Sequence, residues 1–228
     1  MARFARWHIW LGWLVGVPLL LWTVSGIVMI ARPIDEVRGT GLRVSAPPQA
    51  LPSDITLQIA LPAKTTKPAQ SVHSEMVQGK LVTRINYLDG TTERLLEDGT
   101  RRGAMNEIEA RMLVSQTIRG GDKIVSSVHF PANKVPLEFR RPIPVWQIAL
   151  TDGTHVYVGS DSGKIEAVRT RWWRIYDFMW GLHIMDLQTR EEAHNPFTVT
   201  FGILALLGSI LGTILLFRRR KTRVKASA

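Results

Sequence analysis

The chain has 228 residues, no cysteine, and 29 basic against 19 acidic side chains, a formal net charge of +10. The lack of cysteine excludes disulfides, thiolate metal sites and covalently attached c-type haem. The charge would suit a nucleic-acid binder, but eight cations (Arg3, Arg6, Arg218, Arg219, Arg220, Lys221, Arg223 and Lys225) sit in two short acid-free flanks of apolar runs, and the remainder is near neutral at 21 to 19. That distribution follows the positive-inside rule of membrane proteins and sets nucleic acid aside as a partner.

From Ile9 to Ala31 the chain carries no charge. At about 1.5 Å per residue the run spans about 34 Å, enough to cross a bilayer core of about 30 Å. It exceeds the 7 to 15 residues of a signal-peptide core, and no A-x-A-like site follows it, so an uncleaved signal-anchor is expected. A second uncharged run, Phe197 to Phe217, ends at the arginine cluster. The expected topology puts residues 1–8 and 218–228 in the cytoplasm, spans at 9–31 and 197–217, and about 165 residues between them outside.

The outer domain, 32–170, opens with a proline-rich stretch from Arg32 to about Pro68, within which Ser53 to Ala60 reads as one short helix. Strands are expected at Val72 to Val77, Leu81 to Leu88 and Thr91 to Leu96, with turns at Gln78-Gly79, Asp89-Gly90 and Asp98-Gly99. Residues 106–118 read as a helix: Asn106 and Glu109 fit a capping box, Ile108, Met112, Val114 and Ile118 form an apolar stripe, and Gly120-Gly121 ends it. Further strands are expected at Lys123 to Phe130, Val145 to Leu150, Thr154 to Gly159 and Ile165 to Val168.

The halves echo each other. Leu88-Asp-Gly-Thr91 aligns with Thr151-Asp-Gly-Thr154 at an offset of 63 residues, and Asp98 falls on Asp161. The fold expected is thus an α+β membrane protein: two transmembrane helices around a domain of helix plus antiparallel strands, the helix-and-strand unit being duplicated. Segment 171–195 begins Arg171-Trp-Trp-Arg-Ile-Tyr, which suits an amphipathic helix in the outer interface, and Asn195-Pro196 starts the second span.

Three stretches resemble the PepSY-associated transmembrane family. The first is His8-Ile-Trp-Leu-Gly-Trp through Thr23-Val-Ser-Gly26, similar to that family's opening histidine, Trp-Leu-Gly and Ser/Thr-Gly pattern. The second, Trp146 to Ile165, is similar to a PepSY strand pair, with its Gly-Thr hairpin, aromatic-valine strand and Asp-x-Gly turn. The third, Trp180-Gly-Leu-His183, is similar to the Leu-His stretch leading into the last membrane helix. The resemblance implies a bacterial inner-membrane protein with a periplasmic PepSY domain. Some larger relatives are haem-bearing siderophore reductases with about four membrane helices and others have no known activity, so here half of any such bundle must be missing or supplied by another subunit.

Residue patterns frame the site candidates. His8, Gly12 and Gly16 share one helix face, and Gly202, Ala205, Ser209 and Gly212 make a small-residue face on the second span. These admit a b-type haem against neutral imidazoles. Equally, Gly12-x-x-x-Gly16 and Gly208-x-x-x-Gly212 let helices pack closely. His8 and His183 stand at opposite mouths, roughly 30 Å apart, and cannot share one iron. His183 has His194 as its nearest alternative partner and Met185 as a weaker one. His73, His129 and His155 read as ordinary strand residues, while Asp35, Glu36, Asp177 and Asp186 read as hydrated carboxylates flanking the spans. No zinc spacing, nucleophile elbow or phosphate loop is present. The expected function is a non-enzymatic accessory or assembly module of a larger envelope or redox complex, held in the lipid bilayer as a homo-oligomer or with partner membrane subunits. The alternatives are a haem-bearing electron carrier of iron reduction and a periplasmic peptidase inhibitor.

Overall fold

The computed structural model describes residues 2–44, 47, 49–51, 53, 67–77 and 79–226. The helix expected at Ser53 to Ala60 lies outside the described residues, as does Gln78 of the first turn. The chain divides into two compact units, Met1–Pro33 with Arg174–Ala228, and Ile34–Trp173.

The first unit is a helix pair. Helix α1 runs Ala2–Ile30 and α5 runs Pro196–Ala226. Within them Arg3–Ile30 and Pro196–Arg218 are long and apolar enough to cross a membrane. Their pairing is antiparallel and built on small residues of α5. A Cβ on Gly212 would lie 2.8 Å from His8 Cε1, one on Gly208 would lie 3.9 Å from Leu11 Cβ, and one on Gly202 would lie 3.6 Å from the Trp22 ring. Val15 and Ala205 are buried in the same seam. Only α5 lends its glycines to it: a Cβ on Gly12 or Gly16 would meet nothing within 4 Å.

Between the spans, helix α4 covers Arg171–His183. Its partner in this unit is the loop that follows. The Asp177 carboxylate, read from sequence as hydrated, is only 5% exposed and accepts a 2.7 Å bond from Arg190. Trp180 Nε1 donates to the Arg190 carbonyl, and Gly181 leaves room for the arginine's stem. Asn195 then caps α5 by accepting from Thr198 N, while its amide and the Thr198 hydroxyl both donate to the Ile184 carbonyl. That cap ties the start of the helix to the start of the loop, just past the end of α4.

The second unit holds two antiparallel meanders, β1-β2-β3-β4 and β5-β6-β7-β8. Their strands are β1 Ala69–Val77, β2 Lys80–Tyr87, β3 Thr92–Leu95 and β4 Arg101–Arg102, then β5 Ile124–Phe130, β6 Val145–Leu150, β7 His155–Gly159 and β8 Ile165–Arg169. The turns are built alike. Asp89 accepts from the backbone and hydroxyl of Thr91, and Asp98 does the same for Thr100, while Asp152 accepts from Thr154 N. A glycine at positive φ completes each: Gly90 at 81°, Gly99 at 76° and Gly153 at 80°. The Thr91 hydroxyl and amide lead the bonds that hold the Asp89 carboxyl down to about 2. Its folded pKa is thus below the usual 3.8, so its support for the turn is full above that value and disappears as pH falls through about 2. The Thr91 amide proton should report this as a chemical-shift titration with a midpoint near 2, absent in Asp89→Asn.

The 63-residue echo persists in strand register. Thr83, Arg84, Ile85 and Asn86 oppose Leu95, Arg94, Glu93 and Thr92. At the same offset Trp146, Gln147, Ile148 and Ala149 oppose Val158, Tyr157, Val156 and His155. The copies differ ahead of β2 and β6. A short turn joins β1 to β2, whereas residues 131–144 separate β5 from β6.

Helix α3, Glu107–Thr117, packs on one face of the second sheet. Ala110, Val114 and Ile118 meet Ile148, Leu150, Val156, Val158 and Val168 in the main core. Its capping box is present as expected: Glu109 N donates to the Asn106 side chain, and the Glu109 carboxylate accepts from Asn106 N. Asn106→Ala should cost about 1 kcal/mol in a urea titration of the full chain, against near zero for the exposed Ser115→Ala. Segment 131–143 covers the opposite face, with Phe139 stacked 4.8 Å from Tyr157 over Val145 and Ala167.

One stretch expected as a loop is partly helical. Ile34–Arg38 forms the short α2, followed by a 3-10 turn at Thr40–Leu42. Val37 is 1% exposed, Thr170 donates to its carbonyl, and Arg43 pairs with Ile118. Tertiary burial, not local propensity, fixes this piece.

Candidate functional site

The helix pair holds the two histidines singled out from sequence, each fixed through Nδ1. His8 Nδ1 lies 3.1 Å from the Gly208 carbonyl. A carbonyl only accepts, so the ring donates from Nδ1, and in the neutral imidazole Nε2 keeps a lone pair. His183 Nδ1 lies 3.0 Å from Ser25 Oγ. That hydroxyl already gives its proton to the Trp22 carbonyl at 3.1 Å, so it accepts from the histidine. His183 is therefore also an Nδ1–H tautomer. Ser25 is 1% exposed, and the Trp22 indole stands 6.5 Å from the imidazole with its buried Nε1 unbonded.

The two rings stay apart. Ser25 is 17 residues along α1 from His8, or about 26 Å of helix. His194 is exposed in the loop before α5 and is brought to neither. Met185 lies in the loop after α4 at φ 54°. Among the glycines, Gly208 and Gly212 form the floor under His8 while Gly12 and Gly16 face away. Ser209 is exposed and donates to Ala205, so Gly208 takes the place in the seam that the sequence reading gave it.

In the second unit the charged groups gather where the meanders meet. Arg84 and Arg94, opposed across β2 and β3, are 5% and 4% exposed. Arg84 Nε donates to the Ser162 carbonyl at 2.6 Å, and its Nη1 pairs with Glu75. Arg94 Nη2 donates to the Gly103 carbonyl at 2.9 Å and reaches that of Ser160 at 3.4 Å, while its Nε is buried without a bond. Among the described residues no carboxylate pairs with Arg94. Burial, then repulsion from Arg102, lowers its pKa. Burial also lowers that of Arg84, against the pull of Glu75. Beside Arg84 a groove of about 440 Å³ opens between the meanders, lined by His73, Asn86, Arg141, Lys164 and Glu166 among others.

At the matching positions of the second copy, Gln147 and Tyr157 replace the arginines. The Tyr157 hydroxyl donates to Glu138 at 2.5 Å, His155 Nδ1 stands 2.6 Å from the same oxygen, and Gln147 Nε2 bonds to Tyr157. Burial, followed by the Glu138 carboxylate, pushes the tyrosine far above its usual pKa. His155, expected as an ordinary strand residue, thus belongs to a buried polar network. His129 stands 5.0 Å from the Trp146 ring and bonds to Ser160, while His73 is exposed on β1.

Sequence reasoning missed Arg84, Arg94 and Glu138. Arg84 and Arg94 alternate with the core residues Ile85, Tyr87 and Leu95, so the pattern puts them on the polar side of their strands and gives no signal of their burial. Comparison of the chain with protein-family models, with curated proteins and with solved structures gave no match in any of the three.

Proposed function

We propose that the chain is a two-span protein of a bacterial inner membrane, with both termini cytoplasmic and a periplasmic PepSY-like domain, and that it serves as an accessory or assembly module of a larger envelope or redox complex. The observation that carries this reading is the pair of apolar segments, Arg3–Ile30 and Pro196–Arg218, bracketing an independently packed double meander. The cations at the outer ends of both runs favour one cytoplasmic side for both. For docking the domain offers β5, an edge strand of its sheet with Val125 and Val128 66% and 43% exposed. On α3, Ile108 and Met112 stand one turn apart, 73% and 54% exposed.

Alkaline carbonate should leave the chain in the membrane, and protease added to spheroplasts should cut the domain while sparing a C-terminal tag. Carbonate release, or loss of the tag, would overturn the topology. For the docking role, Val125→Asp together with Met112→Asp should abolish co-purification of partner subunits from mild detergent without lowering Tm; a wild-type chain that purifies alone as a monomer counts against the module.

A second reading, haem b ligation, draws support from the two histidine tautomers. A ligating histidine commonly donates from Nδ1 to a protein oxygen and binds metal through Nε2, the state of both His8 and His183. Each would need its second ligand from outside this helix pair. Purified protein should then show a Soret band that His183→Ala weakens; a spectrum without one removes the reading.

A further inference from the structure

In the helix-pair unit an open cleft of about 630 Å³ lies between α1, the end of α4, the following loop and the start of α5. Its walls are apolar: Leu21, Leu182, Leu187 and Phe197 line it, with Leu187 50% and Phe197 68% exposed. Its rim is acidic. Asp186 and Glu192 line it, and among the described residues no lysine or arginine does. The volume falls in the range of small-molecule sites.

Depth follows from the helix register. His8 against Gly212, Leu11 against Gly208 and Trp22 against Gly202 bring the first turn of α5 level with the stretch of α1 just past Leu21. On the two-span reading, which this inference rests on, the cleft therefore sits at the outer boundary of the apolar layer. Its walls face acyl chains and its rim faces headgroups.

The Asp186 charge is permanent at neutral pH. The Asp186 carboxylate accepts from the Thr189 hydroxyl and from the amides of Gln188, Thr189, Glu191 and Glu192. These bonds, the Thr189 hydroxyl first, hold its pKa well below the usual carboxylate value. Glu192 is exposed and accepts the His194 amide within its own turn. Two carboxylates with no lining cation repel a headgroup of net negative charge and attract an ammonium.

We infer that this cleft binds one phospholipid with an amine-bearing headgroup, its acyl chain against Leu21, Leu182 and Phe197 and its ammonium at the Asp186–Glu192 rim. Phosphatidylethanolamine and phosphatidylglycerol share a phosphate and differ in the amine, so they separate the cause. The test is native mass spectrometry of the full chain released from mixed micelles holding both lipids in equal amounts. Wild type should carry the ethanolamine lipid over the glycerol lipid by at least about threefold, and Glu192→Lys, a change at an exposed position, should abolish or reverse that ratio. Equal occupancy, a glycerol-lipid preference, no bound lipid, or a ratio unmoved in Glu192→Lys would each overturn the inference. Carbonate extraction separates the failures: release from the membrane defeats the two-span reading, whereas retention without amine preference defeats the lipid site alone.

Discussion

Asp177→Ala should destabilise the full chain in mild detergent by about 3–5 kcal/mol, because it strands a partly buried guanidinium. Arg190 is held at 2.7 Å by a carboxylate that is itself 5% exposed, and its Nε is already buried without a bond. Removing the acid leaves the arginine's charge with only the Phe178 ring, 5.7 Å away, and partial hydration against its desolvation, while Trp180 and Gly181 still hold its backbone and stem in place. Asp177→Asn keeps a hydrogen-bond acceptor and should fall about midway. In Asp177→Ala with Arg190→Met the charge leaves together with its partner, so most of the loss should be recovered. Urea titrations read by tryptophan fluorescence give all four values. Single and double variants that lose equal stability would mean that the pair is incidental.

The second large effect is expected at the junction of the meanders. Arg84→Ala removes the donor to the Ser162 carbonyl and the partner of Glu75, bonds of a charged group worth about 1.5–3 kcal/mol. In the native protein burial raises the Glu75 carboxyl, but Arg84 and Lys164 outweigh it and keep the group below its usual value. Above pH 5 this carboxylate therefore adds stability that is lost as pH falls through its lowered folded pKa. The acid sensitivity of wild type below pH 4.5, the carboxyl's usual value, should shrink in Arg84→Ala. The break should also show in space, with cleavage by a limiting protease concentrating in residues 69–102 while 107–169 stays protected. Uniform cleavage across both segments would argue that the arginine is not what joins them.

Local chemistry made much of the second unit readable. Each Asp-Gly-Thr hairpin, the Asn106–Glu109 box and the Gly120-Gly121 stop works through atoms a few residues apart, so the strands and α3 fall within a few residues of their expected ends. Features set by distant partners were hidden. Ile34–Arg38 is held by distant parts of the chain, since Thr170 bonds to the Val37 carbonyl and Leu42 to Val44 run beside the end of α3, at Thr117 to Arg119, and nothing in Ile34–Arg38 announces that. The same limit governed the site. Both spans are apolar all round, so periodicity cannot say which face meets which, and Gly12-x-x-x-Gly16 reads as persuasively as Gly208-x-x-x-Gly212 although only the second lies in the seam. The sequence offered His8 and His183 but not the oxygens that set their tautomers, since Gly208 and Ser25 lie 200 and 158 positions away. Asp177 was misjudged for a related reason: Arg190 returns to it through a turn with Met185 and Arg190 both at positive φ, a conformation these residue types do not advertise.

Two meanders of one register carry a hazard for the chain as it emerges and folds. Before either hairpin closes, β2 has the register to accept β7, and β6 to accept β3, at the cost of the hairpin bonds that join each to its own partner. Such a swap would trap a compact, wrongly threaded intermediate. The inward residues that differ between the copies raise its free energy: a β6–β3 pair would set Arg94 beside Gln147 and bury it against the cluster of Phe139 and Val145. Apolar replacement of Arg94 should therefore slow refolding through misthreaded species even where the finished structure tolerates it.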